Sequence, residues 1–154
     1  MQERKNLPVM TIDLSTMPKN FGLCNHTECP MAETCLRHLA YMAIEEDRPF
    51  IKTTNPKWIA RQKGACTLSL SNQPARRARG FIRTVKAMPT GKAESFRLSA
   101  MGKMGYRRYY QCRKGEIMLT KDEEDFIISL AKRYGVVLDD YFDKHEEVLV
   151  WSAE

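Results

Sequence analysis

Cys24, Cys29 and Cys35 fall in one short stretch, FGLCNHTECPMAETCLRHL over residues 21–39, and Cys66 follows on a later segment. Thiolates are soft ligands, and four of them are the donor set of a structural zinc site or an iron–sulfur cluster. A tetrahedral site needs its sulfurs on one sphere of about 2.3 Å around the ion. Three ligands from a loop and a helix start, with one from a later turn, can meet that need. No two cysteines are separated by two residues, the commonest knuckle of structural zinc. A cluster is larger and tolerates wider spacing, and Cys29-Pro30 is a dipeptide also found in bacterial ferredoxins. The expected ligands are therefore Cys24, Cys29, Cys35 and Cys66, holding Zn2+, with an iron–sulfur cluster or merely buried thiols as alternatives. His26, in the loop, is the spare ligand, and His38 reads as a partly exposed surface residue. A site closed by four protein ligands is structural or electron-transferring and leaves no position for a substrate.

The elements that must position these residues follow from local pattern. Pro30 suits a first helical position, since its missing N–H would have no partner there, which puts Cys29 at the cap. A helix N-terminus favours the thiolate that a metal needs. In an unbroken helix Cys29 and Cys35 would lie about 120° apart, so convergence asks Cys29 to bend inward. Met31, Cys35, Leu39 and Met42 continue an apolar face toward Pro49. Val9–Leu14 reads as a short strand or an extended lead-in, residues 50–54 (FIKTT) as a short strand, residues 66–71 (CTLSLS) as a strand or extended segment, and Asn55-Pro56 as the cap and start of a brief helix. A second helix is expected from about Pro74 to Met88 and a third from Thr90 to a stop at Gly105. Tyr106–Arg113 reads as extended and leads through Lys114-Gly115-Glu116 into a hairpin. Thr120 and Glu123 form a capping box that opens a helix closed by Gly135. Asp139 or Asp140 is expected to cap a further turn, and Val148–Trp151 to form a last strand.

Length and composition place these elements in an ordinary domain. The chain has 154 residues, 43% hydrophobic and 29% charged, which suits one α+β, mostly helical domain with short strands and a cysteine-rich N-terminal loop. Residues 1–73 make the cysteine subregion, 74–115 a basic one and 116–154 an acidic one. No apolar run is long enough to cross a bilayer, and no signal peptide is expected, so the expected compartment is the cytoplasm. Five cysteines in a reducing compartment point to ligation or burial and not to disulfides.

The net charge of +6 is unevenly spread. From Arg76 to Lys114 there are twelve Lys/Arg and one acid, a net of +11, whereas residues 115–154 carry −7. On a helix over 74–88, Arg76, Arg79, Arg83 and Lys86 would share a face within about 80°. With Arg107, Arg108, Arg113 and Lys114 on the tyrosine-rich segment they form a candidate nucleic-acid surface, arginines for phosphates and tyrosines for stacking. An acidic protein is the alternative partner, and solvation or pairing with the acidic tail is the plainer reading of the same charges. The oligomeric state is not legible.

Enzyme signatures are poor. There is no glycine-rich phosphate loop, metalloprotease run or nucleophile elbow. Cys112 reads as inert packing, and Asp122–Asp125 as a carboxylate cluster that satisfies a helix dipole. The expected function is a non-enzymatic, zinc-stabilised binding or regulatory protein, with an iron–sulfur redox or sensor protein and a protein–protein adaptor as rivals.

Three patches carry a resemblance: Pro18 to Phe21 and Cys24, with Cys29-Pro30, Ala32 and Cys35-Leu36-Arg37; Asn55-Pro56 with the Cys66 segment and Gly80; and Gly105-Tyr106, Tyr109-Tyr110, Arg113 to Glu116 and Trp151. On these the chain resembles a domain-of-unknown-function family of small four-cysteine proteins common in gut Bacteroidetes. The resemblance covers most of the length and implies shape without an activity. The chain departs from it after Cys66, where such proteins carry proline and aromatics, and at Cys112, which is its own.

Overall fold

Asn55 turns the chain into the first residues of a helix by accepting the Lys57 N–H at 3.0 Å, and Pro56 follows it with no amide to leave unpaired. Such local chemistry sets several elements in the computed structural model, which describes residues 12–45 and 47–152. The elements are α1 (Leu36–Ala43), α2 (Pro56–Ile59), β1 (Ala75–Arg79), α3 (Ile82–Lys86), α4 (Ala93–Met104), α5 (Tyr106–Lys114), α6 (Lys121–Arg133) and β2 (Lys144–Val148). The class is α+β, as composition and pattern imply. The chain divides into two compact units, residues 1–73 with 149–153, and residues 74–148.

In the first unit Phe21, Leu23, Leu36, Ala40 and Leu70 form the core, with Leu14, Tyr41, Leu149 and Trp151 packed against it. Trp151 meets the Phe21 ring edge-on at 5.0 Å and donates its indole N–H to Thr16 Oγ1 at 3.0 Å. The helix expected from Cys29 begins six residues later: Cys35, extended at ψ 116°, is the N-cap of α1, and residues 30–34 are turns. Pro30 sits in a turn, so the proline read as a helix start marks a turn ahead of the helix. The strands expected at 50–54 and 66–71 shrink to isolated bridges, Leu23 to Thr53 and Cys35 to Ser71. Val9–Met10 and Thr11 of the first expected strand lie outside the described residues, and Leu14–Thr16 is a 3-10 turn capped by Asp13.

In the second unit the expected helix over 74–88 is two elements. Residues 75–79 form β1, antiparallel to β2 with Ala78 opposite His145, and α3 starts only after Gly80. Gly80 has φ +78°, and a Cβ there would lie 2.5 Å from Asp143 Oδ2. That close approach lets the Asp143 carboxylate accept from the Ile82 and Arg83 amides at 2.8 and 3.0 Å and start α3. Glu124, buried on α6, accepts the Ala78 N–H at 2.7 Å and ties the strand to the helices. Tyr106–Arg113 is helical and not extended, joined to α4 through Gly105 at φ +83°. Phe81, Phe96, Tyr109, Leu119, Ile127 and Leu130 fill the core. The last strand is β2 at 144–148, not 148–151, and Asp140 caps no helix; it accepts the Phe142 N–H and faces His145 at 3.1 Å.

Candidate metal centre and the basic residues

Arg37, two residues past the α1 cap, sends its side chain back across the cysteine-bearing segments. Its Nε donates to the Leu68 carbonyl at 2.8 Å, its Nη1 to the Gly22 carbonyl at 2.6 Å, and its guanidinium lies 4.8 Å from the Phe21 ring centre. The Cys24 amide in turn donates to the Arg37 carbonyl at 3.1 Å. The loop around Cys24, the start of α1 and the segment after Cys66 are thereby drawn to one place.

There a cavity of about 310 Å³ is lined by all four expected ligands, Cys24, Cys29, Cys35 and Cys66. Cys24 and Cys35 are buried, Cys29 and Cys66 half-buried, and all are free thiols. His26, Arg37, His38 and Thr54 share the wall, and among the described residues no Asp or Glu does. Soft sulfur donors without competing carboxylates suit zinc or an iron–sulfur cluster and not a hard cation. The sulfurs share the cavity without converging: among the described residues no three His, Cys, Asp or Glu side chains stand where they could hold a metal ion. The donor set thus fits such a group in kind and location, while its bonding distances are not formed.

His38 is partly exposed, as expected, and its exposed part faces the cavity. It is half-buried, lines the cavity, and has Nδ1 3.1 Å from the Cys24 carbonyl. A carbonyl only accepts, so Nδ1 carries the proton and, in the neutral ring, Nε2 keeps its lone pair. Sequence reasoning missed Arg37 and His38 as wall residues. For His38 the available signal was its place three residues past Cys35, since residues three apart on a helix lie on neighbouring positions of one face; Arg37, only two past it, carried no such signal.

The eight basic candidates do not share one helix. Arg76 and Arg79 are on β1, Arg83 and Lys86 on α3, and Arg107, Arg108, Arg113 and Lys114 on α5. The stripe expected on a 74–88 helix is lost because the strand and Gly80 replace that helix. Several charges are matched inside the unit by acids from the C-terminal part. Arg79 Nε is 3.2 Å from Glu146 Oε2, and its Nη1 also donates to the Gly115 and Glu116 carbonyls at 3.0 Å. Arg108 grips Glu123 with both Nε and Nη2, the latter at 2.8 Å. Lys114 is 3.9 Å from Glu116, and Arg113 lies 5.2 Å over the Tyr110 ring. On the sheet Arg76 and Arg77 stand opposite Glu147 and Glu146. Arg76, Arg83, Lys86 and Arg107 are exposed.

Cys112 is fully buried on α5, not on a half-buried strand, and burial pushes its thiol up to about 11, with the Glu123 charge adding to the shift. A thiol held protonated is a packing residue and not a nucleophile. Asp122, Glu123 and Glu124 occupy the first turn of α6, as their helix-dipole reading required.

No helix among the described residues is long and apolar enough to cross a membrane. The model of a family of unknown function, DUF6078, matches residues 1–151, and the chain belongs to that family. No curated protein and no solved structure matches it.

Proposed function

We propose that the protein is a non-enzymatic metal-binding protein whose first unit is organised around a thiolate-ligated centre at Cys24, Cys29, Cys35 and Cys66. One observation carries the reading: Cys66 joins Cys24, Cys29 and Cys35 of the earlier segment on the wall of one 310 Å³ cavity, from which carboxylates are absent among the described residues. Unrelated buried thiols have no reason to gather in this way. Zinc is the first assignment, because four sulfur donors suit a structural ion. An iron–sulfur cluster is the second, and the spread of the sulfurs around a roomy cavity favours it, because each thiolate of a cluster can bind a different iron. Either group would supply cross-linking of the cysteine segments, and a cluster would add electron transfer.

The test is a pair of variants, Cys24→Ser and Cys66→Ser, measured for metal content and melting temperature beside the wild type. Both should lose the metal and melt lower. Unchanged metal content and melting temperature in both would remove the centre.

A nucleic-acid partner draws its support from exposed Arg76, Arg83, Lys86 and Arg107, with Tyr106, 71% exposed, beside the last. Pairing with acids of the same unit accounts for Arg79 and Arg108 and makes the plainer reading stronger for those two. Phosphate contacts through the exposed four would give binding that weakens steeply with salt.

A further inference from the structure

Among the described residues Arg37 is the one side chain of the cavity wall with a permanent charge, and none of the carboxylates there pairs with it or lines the cavity. A half-buried guanidinium normally meets an acid, because desolvating a charge is costly unless opposite charge stands nearby. Its hydrogen bonds here go to carbonyls two residues before Cys24 and two residues after Cys66, and it stands two residues past Cys35. Those bonds fix the cation among three of the four cysteine segments without neutralising it. The other titratable groups facing the cavity are the four thiols, His26 and His38. His38 has committed the proton on Nδ1 to the Cys24 carbonyl.

We infer that Arg37 is the built-in counter-charge of the centre, and that the group it faces is a net anion with all four thiolates bound and both histidines outside the ligand set. The inference rests on the metal reading above. Four thiolates around a divalent ion leave two negative charges, three thiolates with one neutral imidazole leave one, and two with two leave none. An arginine that meets no carboxylate among the described residues offsets most beside the first arrangement and nothing beside the last. Arg37 touches neither the metal nor its bonding atoms, and so acts as a positioning residue that lowers the cost of the anion, as outer-shell partners of metal sites do.

The experiment titrates zinc into the reduced apo full-length chain against a chromophoric chelator, for wild type, Arg37→Gln and Arg37→Lys. Cobalt(II) absorption of each form reports how many thiolates are bound. Wild type should show a four-sulfur cobalt spectrum, Arg37→Gln should bind zinc about 10-fold more weakly or worse, and Arg37→Lys should stay within about threefold of wild type. A three- or two-sulfur wild-type spectrum overturns the inference, as does a lysine variant that loses as much as the glutamine one, since stitching of carbonyls would then be the whole role. Should Arg37→Gln fail to fold, the lysine variant decides alone: near-wild-type affinity supports the counter-charge, and a tenfold loss overturns it. A wild type that takes up no metal fails the metal reading itself, an outcome seen before any variant is compared.

Discussion

Gly80 is where one residue decides what its neighbours become. Its φ of +78° costs an ordinary side chain about 1–3 kcal/mol, and a Cβ would also press on the carboxylate that starts α3. Gly80→Ala should therefore lower the urea midpoint more than Gly91→Ala, whose φ is +83° but whose Cβ would meet nothing within 4 Å. Equal losses would mean that the Asp143 contact carries no stability. Cys112 offers a second test through pH. Its thiol stays protonated to about 11 in the folded chain against an ordinary value of 9.0, so above pH 9 the unfolded state releases a proton that the native state retains. The contribution of this group is complete below pH 9 and is lost as pH rises toward 11, by up to about 3 kcal/mol. The fall in stability between pH 9 and 11 should be shallower in Cys112→Ala than in wild type, and identical slopes would contradict the burial argument.

Among the elements, α6 is the one whose start was plainest in the sequence. Thr120 Oγ1 accepts the Glu123 N–H and the Glu123 carboxylate accepts the Thr120 N–H at 2.9 Å, the reciprocal bonds that the Thr–x–x–Glu spacing implies. Glu123 also holds Arg108, which no local pattern reveals. Burial draws the Glu123 carboxyl upward, but the Arg108 and Thr120 hydrogen bonds outweigh it and leave it below its ordinary value. Thr120→Ala should cost about 1 kcal/mol at any pH from 5 to 8. Glu123→Gln should cost about 1–2 kcal/mol at pH 7, allowing for the solvent that screens Arg108. That difference should vanish as pH falls through the depressed carboxyl value, because the wild type then loses the charge as well. A pH-independent difference would show that the ion pair contributes nothing.

The contrast between α6 and β1 explains what was legible. A capping box, Asn55-Pro56 and the glycine stop at Gly105 act over a few residues, so sequence carries them. Residues 75–79 (ARRAR) have helix-favouring side chains, and their strand state depends on β2, some seventy residues away, and on Glu124 accepting the Ala78 amide. Tyr106–Arg113 errs the other way: its aromatics favour strands, but Tyr109 and Cys112 at helical spacing fill the core between α4 and α6. The four cysteines were legible as a set because ligand chemistry selects residue types. Arg37 was not, because its place on the wall depends on where the Cys24 loop crosses α1.

At the scale of the molecule, a basic middle and an acidic tail meet within the second unit, where Arg79 faces Glu146 and Arg108 holds Glu123. The four expected metal cysteines all lie in the first unit, and the second has only protonated Cys112. Chelation should therefore raise amide hydrogen exchange in α1 and the Cys66 segment while leaving α6 protected. Metal analysis of the full chain, purified without a nickel step under argon, tests the central claim most directly. The expected result is a stoichiometric metal per chain, zinc in colourless protein or iron with sulfide in brown protein, that is lost in Cys24→Ser. Protein that holds no metal above background, and whose melting temperature is the same with and without chelator, would contradict it.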